Sequence, residues 1–123
     1  MVKLGRSVGF EFTRGFARVE AVQLAVISWS GGAVDAAALR GRLEADGCRS
    51  VFEWSDPSGA DYQPHHHDHD ESIWIVRGEM TFTALGRDLR LGAGDRLMLP
   101  RGTVHGARAG AQGATYLVGE YPD

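Results

Sequence analysis

The feature that most constrains the fold is a succession of short, β-rich runs that fills the chain from residue 48 onward. The runs comprise residues 51–54, 62–67, 73–76, 80–85, 89–91, 96–99, 105–109 and 115–118. Turn-forming residues separate them at positions 56–59, 77–78, 86–87, 92–94 and 110–113. No helical pattern lies between the runs, so neighbouring strands are expected to pair antiparallel. The sequence therefore predicts an all-β fold, either a sandwich or a barrel.

One short helix is predicted before these strands. Asp35 can accept a hydrogen bond from a free amide of a first helical turn, and residues 36–45 are rich in strong helix formers. Leu39 and Leu43 lie four residues apart and share one face, and Gly47 occupies the position of a C-terminal glycine. The pattern predicts a helix over residues 35–46.

Residues 1–33 differ from the rest of the chain. They carry Phe10, Phe12 and Phe16 among basic residues and glycines, and only residues 22–29 have the composition of a strand. The sequence predicts a peripheral segment over residues 1–33 and a barrel domain over residues 34–123. An alternative hypothesis is that translation of the native protein begins at Val34.

Composition narrows the function classes. The chain has 123 residues, of which 43% are apolar, and this suits one domain with a modest core. Its net charge of −3 argues against a general binder of nucleic acid or anionic membrane, and no apolar run is long enough to span a bilayer. A single cysteine, Cys48, cannot form an intrachain disulfide, which favours a cytoplasmic location.

A histidine-rich stretch, HHHDHDE, carries the strongest chemical signal. His65 and His67 are two residues apart, so on a strand their imidazoles point the same way, and Glu71 follows at the start of the next run. His105 comes just after a Pro-x-Gly turn in the second half of the chain. Imidazoles suit Zn, Fe, Ni and Cu, and a carboxylate adds tolerance for Mn or Fe. The other interpretation of this stretch is a solvated polar loop that binds metal only adventitiously.

The spacing of these residues resembles the two sequence motifs of the cupin superfamily, specifically its small single-domain bacterial members. The first motif, G-x5-H-x-H-x3-E-x6-G, is matched by Gly59, His65, His67, Glu71 and Gly78. The second motif, G-x5-P-x-G-x2-H, is matched by Gly94, Pro100, Gly102 and His105. The asparagine that ends the second motif falls at Ala109, a departure that affects local turn geometry more than the ligand set. The resemblance covers roughly residues 48–120.

The resemblance implies a double-stranded β-helix, or jelly-roll barrel, of antiparallel strands. It implies one divalent transition metal per chain, Fe, Mn, Zn, Ni or Cu, held by His65, His67, Glu71 and His105. It also implies a small-molecule ligand and, in many members, a homodimer. The absence of a nucleic-acid or membrane partner is expected from the net charge and from the lack of a long apolar run. Dioxygenase, isomerase or lyase chemistry is expected, with Glu71 as the catalytic residue, and the alternative is a non-catalytic module that binds or senses a small ligand or metal.

Successive side chains of a strand alternate between its two faces, and this alternation gives further expectations near the first motif. His66 should face away from the two ligand histidines. His69 lies an even number of residues from both ligands, as expected for the same face, but it falls in a predicted turn at the rim. Trp74 should face out of the barrel, where the helix, the N-terminal segment or a partner subunit would have to cover it.

The rest of the interior is harder to assign from sequence. Candidates for lining a pocket above the metal are Trp54, Tyr62, Met98 and Tyr116. Three arginines, Arg77, Arg96 and Arg101, are either a clamp for an anionic substrate or ordinary surface charges.

Overall fold

The computed structural model of the protein describes residues 23–122. Within that range the chain forms seven β-strands and one α-helix, in the order β1 (Ala25–Ser28), α1 (Ala36–Ala45), β2 (Ser50–Asp56), β3 (Asp61–His65), β4 (Glu71–Ala84), β5 (Arg87–Gly92), β6 (Asp95–Leu99) and β7 (His105–Glu120). The predicted all-β jelly-roll barrel with one short helix is confirmed.

Two long strands organise the sheet. The main path of hydrogen-bonded neighbours is β1-β6-β4-β7-β2, while β3 pairs with β7 and β5 pairs with β4, and every pairing is antiparallel. The first half of β4, the second half of β7 and the whole of β6 form one side of the barrel. The second half of β4, the first half of β7, β5 and β3 form the other. Apolar side chains from both sides form one buried core.

The sequence runs 73–76 and 80–85 are one continuous strand, β4, and the runs 105–109 and 115–118 are one strand, β7. The predicted turns at 77–78 and 110–113 are therefore wrong. Irregular pairing occurs instead, with register shifts on both sides of Arg77 and Gly78. Gly78 has φ +79°, and a Cβ atom there would lie 2.1 Å from the carbonyl oxygen of Gly113. These glycines let the two strands bend closely together without ending them.

The helix has the predicted ends. The Asp35 carboxylate accepts a hydrogen bond from the Ala38 amide at 3.1 Å. At the other end Gly47 adopts φ +100°, and its amide and that of Cys48 donate to the carbonyls of Glu44 and Leu43. Such paired bonds satisfy the last helical carbonyls and stop the helix.

The helix covers the outer face of the barrel at Trp74. Leu39 and Leu43 are fully buried against Trp74 and Leu117, and the Trp29 ring meets Trp74 edge to face at 5.5 Å. Trp74 is only 3% exposed, so the outward tryptophan predicted from sequence is covered within the chain. An uncovered Trp74 would have been a reason to expect a partner subunit, and that reason no longer applies. The homodimer stays a prediction.

The start of the described region joins the same sheet. Strand β1 pairs with β6 in antiparallel register, from Ala25 opposite Met98 to Ser28 opposite Asp95. The division into a peripheral segment over residues 1–33 and a barrel over residues 34–123 stays a prediction, and Phe10, Phe12 and Phe16 lie outside the described residues. Within residues 23–122 no helix is both long and apolar enough to cross a membrane.

Candidate metal centre

Three strand ends bring the predicted ligands to one end of the barrel. His65 is the last residue of β3 and pairs directly with His105, the first residue of β7. Directly opposed residues of an antiparallel pair point to the same face, so both imidazoles face the interior. Glu71 begins β4 with the same parity as the core residues Ile73 and Ile75. His67 lies in the connection between β3 and β4.

The three histidines form a compact triangle. Their ring centroids are 4.4 Å apart for His65 and His105, 5.0 Å for His65 and His67, and 5.3 Å for His67 and His105. One nitrogen from each ring lies within 4.8 Å of the others, a separation that a single ion can bridge. The sequence prediction that the distant His105 would meet the His65 and His67 pair is therefore consistent with the structure.

Hydrogen bonds to the backbone orient two of the rings. His65 Nδ1 lies 2.7 Å from the carbonyl oxygen of Gln63, and His105 Nδ1 lies 2.9 Å from that of Thr103. A carbonyl only accepts, so Nδ1 donates in both bonds, and in the neutral form of each ring the lone pair of Nε2 is then available to a metal. Burial lowers the pKa of His105, against the opposing effect of its bond to Thr103. The neutral, metal-binding form of this imidazole is thereby favoured.

Glu71 is buried, with 5% exposure, and its two oxygens have different neighbours. Oε1 lies 3.8 Å from His67 Nε2, and Oε2 lies 2.8 Å from His69 Nε2. The potential ligands consequently fall into two overlapping groups, His65–His67–His105 and His67–His69–Glu71, which share His67. A set of imidazoles with one carboxylate suits a divalent transition metal, so the residues present fit such an ion. The four-residue ligand set and the catalytic role of Glu71 stay predictions.

His69 contacts more of the site than a residue at the rim, the position expected from sequence, would do. Its side chain is 18% exposed, and Nε2 also lies 3.4 Å from Glu120 Oε2. The Ser50 hydroxyl donates to the other Glu120 oxygen at 3.1 Å. The parity that His69 shares with His65 and His67 was the available signal for it. Glu120 had no local signal, because it reaches the site only through its pairing with Glu71 across β4 and β7.

Other expected site residues are divided between the two faces of the sheet. His66 is exposed, as predicted. Tyr116 belongs to the barrel core, and Tyr62 packs against that core. Met98 does not, because Leu97 and Leu99 on either side of it point inward and its sulfur contacts Ser72 on the outer face. The assignment of Met98 to the pocket is therefore wrong.

The arginines do not form a clamp at this site. Arg96 is buried on the outer face, where it donates to Asp46 and Tyr121 at 2.8 Å each and stacks over Trp74. Arg77 is exposed. Arg101 donates through its backbone amide to the Asp70 carboxylate at 2.7 Å and through its side chain to the Asp68 carbonyl, which fixes the bend beside the histidines.

Comparisons with known proteins agree with this geometry. The profile of the cupin domain matches residues 52–118, more than half of the chain. No curated protein sequence matches. Among experimental structures, KdgF from Halomonas sp. is similar with 27% identity and a TM-score of 0.54, over 59% of this chain and 69% of that one.

Two further structures extend the comparison. An RmlC-like cupin from Shewanella frigidimarina is 25% identical with a TM-score of 0.52, over 58% of this chain and 65% of that protein. A protein from Klebsiella pneumoniae with a double-stranded β-helix domain is 27% identical with a TM-score of 0.53, over 58% of this chain and 65% of its own length. The similarity to these two proteins therefore spans just under two thirds of their length.

Proposed function

The chain belongs to the cupin family, and from this premise we propose that it binds a divalent transition metal and acts through it on a small organic molecule. The observation that supports this most is the triangle of His65, His67 and His105, whose imidazoles converge at one end of the barrel. The hydrogen-bonded Nδ1 atoms of His65 and His105 leave both Nε2 atoms available, as in metal sites generally.

A bound divalent ion would supply Lewis-acid polarisation of an oxygen atom on the small molecule. The three histidines would hold that ion through ring nitrogens. Glu71 Oε1, which faces His67, would complete the ligand set or accept a proton from the small molecule. Glu71 Oε2 is held by His69 and would stay fixed during the reaction.

We propose dioxygenase, isomerase or lyase chemistry for this site, with Glu71 as the catalytic residue. The second carboxylate at the site, Glu120, and His69 beside it support an enzyme, because they extend the titratable groups beyond the ligands themselves. The alternative is a non-catalytic module that binds or senses a small ligand or metal.

One ion per chain is proposed because the two potential ligand groups share His67 and cannot both be filled independently. A homodimer and a cytoplasmic location are also proposed, from the family resemblance and from the single Cys48 respectively.

Elemental analysis of protein purified without an affinity tag tests the proposal. We expect close to one equivalent of Fe, Mn, Zn, Ni or Cu per chain in the native protein. The His105→Ala variant should lose this metal, whereas the matched control His66→Ala, which changes an exposed histidine of the same segment, should keep it. Metal-free native protein that does not take up any of these ions would refute the proposal.

Activity assays separate the two alternatives. Oxygen consumption and turnover of candidate substrates by the metal-loaded protein should fall strongly in Glu71→Gln if the protein is an enzyme. A protein that binds its ligand with the metal present and leaves the ligand unchanged would be a binding module.

A further inference from the structure

The two edge strands β2 and β3 leave an opening in the wall of the barrel. Both strands pair with β7, β2 along residues 114–120 and β3 along residues 105–108, and the described sheet has no pairing between β2 and β3 themselves. Four of the interior-facing side chains on either side of this opening are aromatic. We call this opening the β2–β3 cleft and define its lining as Phe52, Trp54, Tyr62 and Tyr116.

The register shows that the exposed aromatics of β2 point into the barrel. Phe52 is opposite Val118 and Trp54 is opposite Tyr116, and both partners belong to the barrel core. Even so, Phe52 is 41% exposed and Trp54 is 51% exposed. These two rings thus face the interior, and the described residues cover each of them only in part.

The interior face of β2 leads toward the metal centre through a short series of side-chain contacts. The strand pair that follows Phe52 and Val118 toward the histidines is Ser50 and Glu120. Glu120 contacts His69, which in turn holds Glu71. Phe52 is thus the next interior-facing residue of β2 after Ser50, whose hydroxyl contacts Glu120 at the edge of the metal centre.

The polar atoms of the cleft are already used within the protein. One Asp56 oxygen accepts hydrogen bonds from the Tyr62 hydroxyl at 2.7 Å and from Trp54 Nε1 at 3.1 Å. The other accepts from the Tyr116 hydroxyl at 2.6 Å. A carboxylate that holds three donors fixes the three rings and leaves their faces, not their polar atoms, for a ligand.

The charges around the cleft disfavour an anion. On the interior faces of β2, β3 and β7, the described residues include the carboxylates Asp56 and Glu120 and no lysine or arginine. Arg108, the one arginine of β7, lies on the outer face and pairs with Asp61. A carboxylate or phosphate placed in the cleft would lose its hydration without gaining a counter-ion, which is costly.

We propose that the small molecule of the metal centre carries an uncharged aromatic ring, which lies in the β2–β3 cleft against Trp54 and Phe52. The oxygen atoms of the same molecule face the histidines. This inference rests on the proposed function, because it assigns the chemical class of the ligand to the same site.

Hydroxamic acids test the inference because they separate the metal-binding group from the rest of the molecule. Binding of acetohydroxamic acid and benzohydroxamic acid to zinc-loaded full-length protein is measured by calorimetry. The two compounds share the chelating group. Acetohydroxamic acid carries a methyl group beside it, and benzohydroxamic acid carries a phenyl ring. We expect the ring compound to bind about tenfold more tightly. A second pair, 4-methyl- and 4-carboxybenzohydroxamic acid, tests charge, and the carboxylate should weaken binding about tenfold or more relative to the methyl group.

Variants of the two exposed cleft aromatics test where the ring of the bound ligand lies. Phe52→Ala and Trp54→Ala should each reduce the preference for benzohydroxamic acid over acetohydroxamic acid and leave zinc binding unchanged. Val26→Ala is the matched control, because Val26 is similarly exposed at 42% but lies on β1, at the opposite edge of the main sheet. Should a cleft variant fail to fold, the two ligand comparisons on the unaltered protein still decide the matter.

The outcomes distinguish this inference from the proposed function. If zinc and acetohydroxamic acid bind but the ring gives no advantage, the ligand class is wrong while the metal site stands. If neither zinc nor any hydroxamic acid binds, the proposed function itself fails. If sedimentation shows a dimer that Trp54→Ala dissociates, with no preference for the ring, the cleft is an interface between two copies and the inference is overturned.

Discussion

At the scale of single residues, the metal centre combines histidines that are near neighbours along the chain with side chains that strand pairing brings in from a distance. His65 and His67 share a face because of the two-residue period of a strand, which is a local property. The contact between His69 and Glu71 depends on how a short bend folds back, and Glu120 joins the site only through strand pairing far along the chain. Local spacing cannot encode such contacts.

His69 gives the first prediction at this scale. We expect His69→Ala to weaken metal binding about 10- to 100-fold, because the hydrogen bond that holds Glu71 Oε2 is lost. Competition with a chelator of known affinity provides the measurement, and His66→Ala should bind metal like the unaltered protein. Unchanged affinity in His69→Ala would show that the bond does not position Glu71. Complete loss of metal would show that His69 is itself a ligand.

Gly78 gives the second prediction. We expect Gly78→Ala to lower the free energy of unfolding by more than about 1–3 kcal/mol, because a positive φ is strained for alanine and the new Cβ meets the Gly113 carbonyl. Gly86→Ala is the matched control, since Gly86 has φ +73° with no atom within 4 Å of the added carbon. Urea titration measures both variants. Equal losses in the two would mean that the approach of β4 and β7 contributes nothing.

The thiol of Cys48 gives the third prediction. Burial raises its pKa, against smaller opposite effects from its hydrogen bond to Tyr121 and from Arg96. The neutral thiol is therefore favoured in the folded protein, and its stabilising contribution is present below the ordinary thiol pKa and lost as the pH rises through the folded value. We expect native Cys48 to react with a disulfide reagent at a half-maximal pH above that of the urea-unfolded chain. A half-maximal pH equal to or below that of the unfolded chain would contradict this.

At the scale of elements, features that depend on neighbouring residues were predicted from sequence, and features that depend on distant residues were not. The helix was predicted at both ends because Asp35 and Gly47 act through their own neighbouring amides and carbonyls. The two long strands were each divided in two, because a glycine reads locally as a turn. Whether it ends a strand or bends it depends on the backbone opposite, here Gly113 against Gly78.

The packing of α1 gives the fourth prediction. We expect Leu39→Ala to cost about 2–5 kcal/mol of unfolding free energy, because a fully buried side chain between the helix and Trp74 is removed. Glu44→Ala, at an exposed position of the same helix, should change it by less than about 0.5 kcal/mol. Chemical denaturation followed by tryptophan fluorescence measures both. A small loss in Leu39→Ala would mean that α1 is not needed to cover Trp74.

At the scale of the whole molecule, metal binding and folding are linked, because the ligands come from strand ends that only the folded barrel brings together. An ion present at 100 times its dissociation constant stabilises the folded state by about 2.7 kcal/mol. For a domain of this size we expect a rise in melting temperature on the order of 10 °C. A chelator should reverse the rise, and His105→Ala should abolish it while His66→Ala keeps it. Calorimetry that shows no shift with any divalent transition metal would contradict the linkage.

The sharing of β4 and β7 between both sides of the barrel has a consequence for how the protein comes apart. The remaining strands pair with β4 or β7, either directly or, for β1, through β6. Neither side of the barrel therefore has a set of strands that could stay folded without the other side. Partial melting of one wall would strip hydrogen bonds from the same strand in the opposite wall. Loss of structure should consequently be cooperative across the described domain, with the amides at the centres of these two strands the last to exchange with solvent.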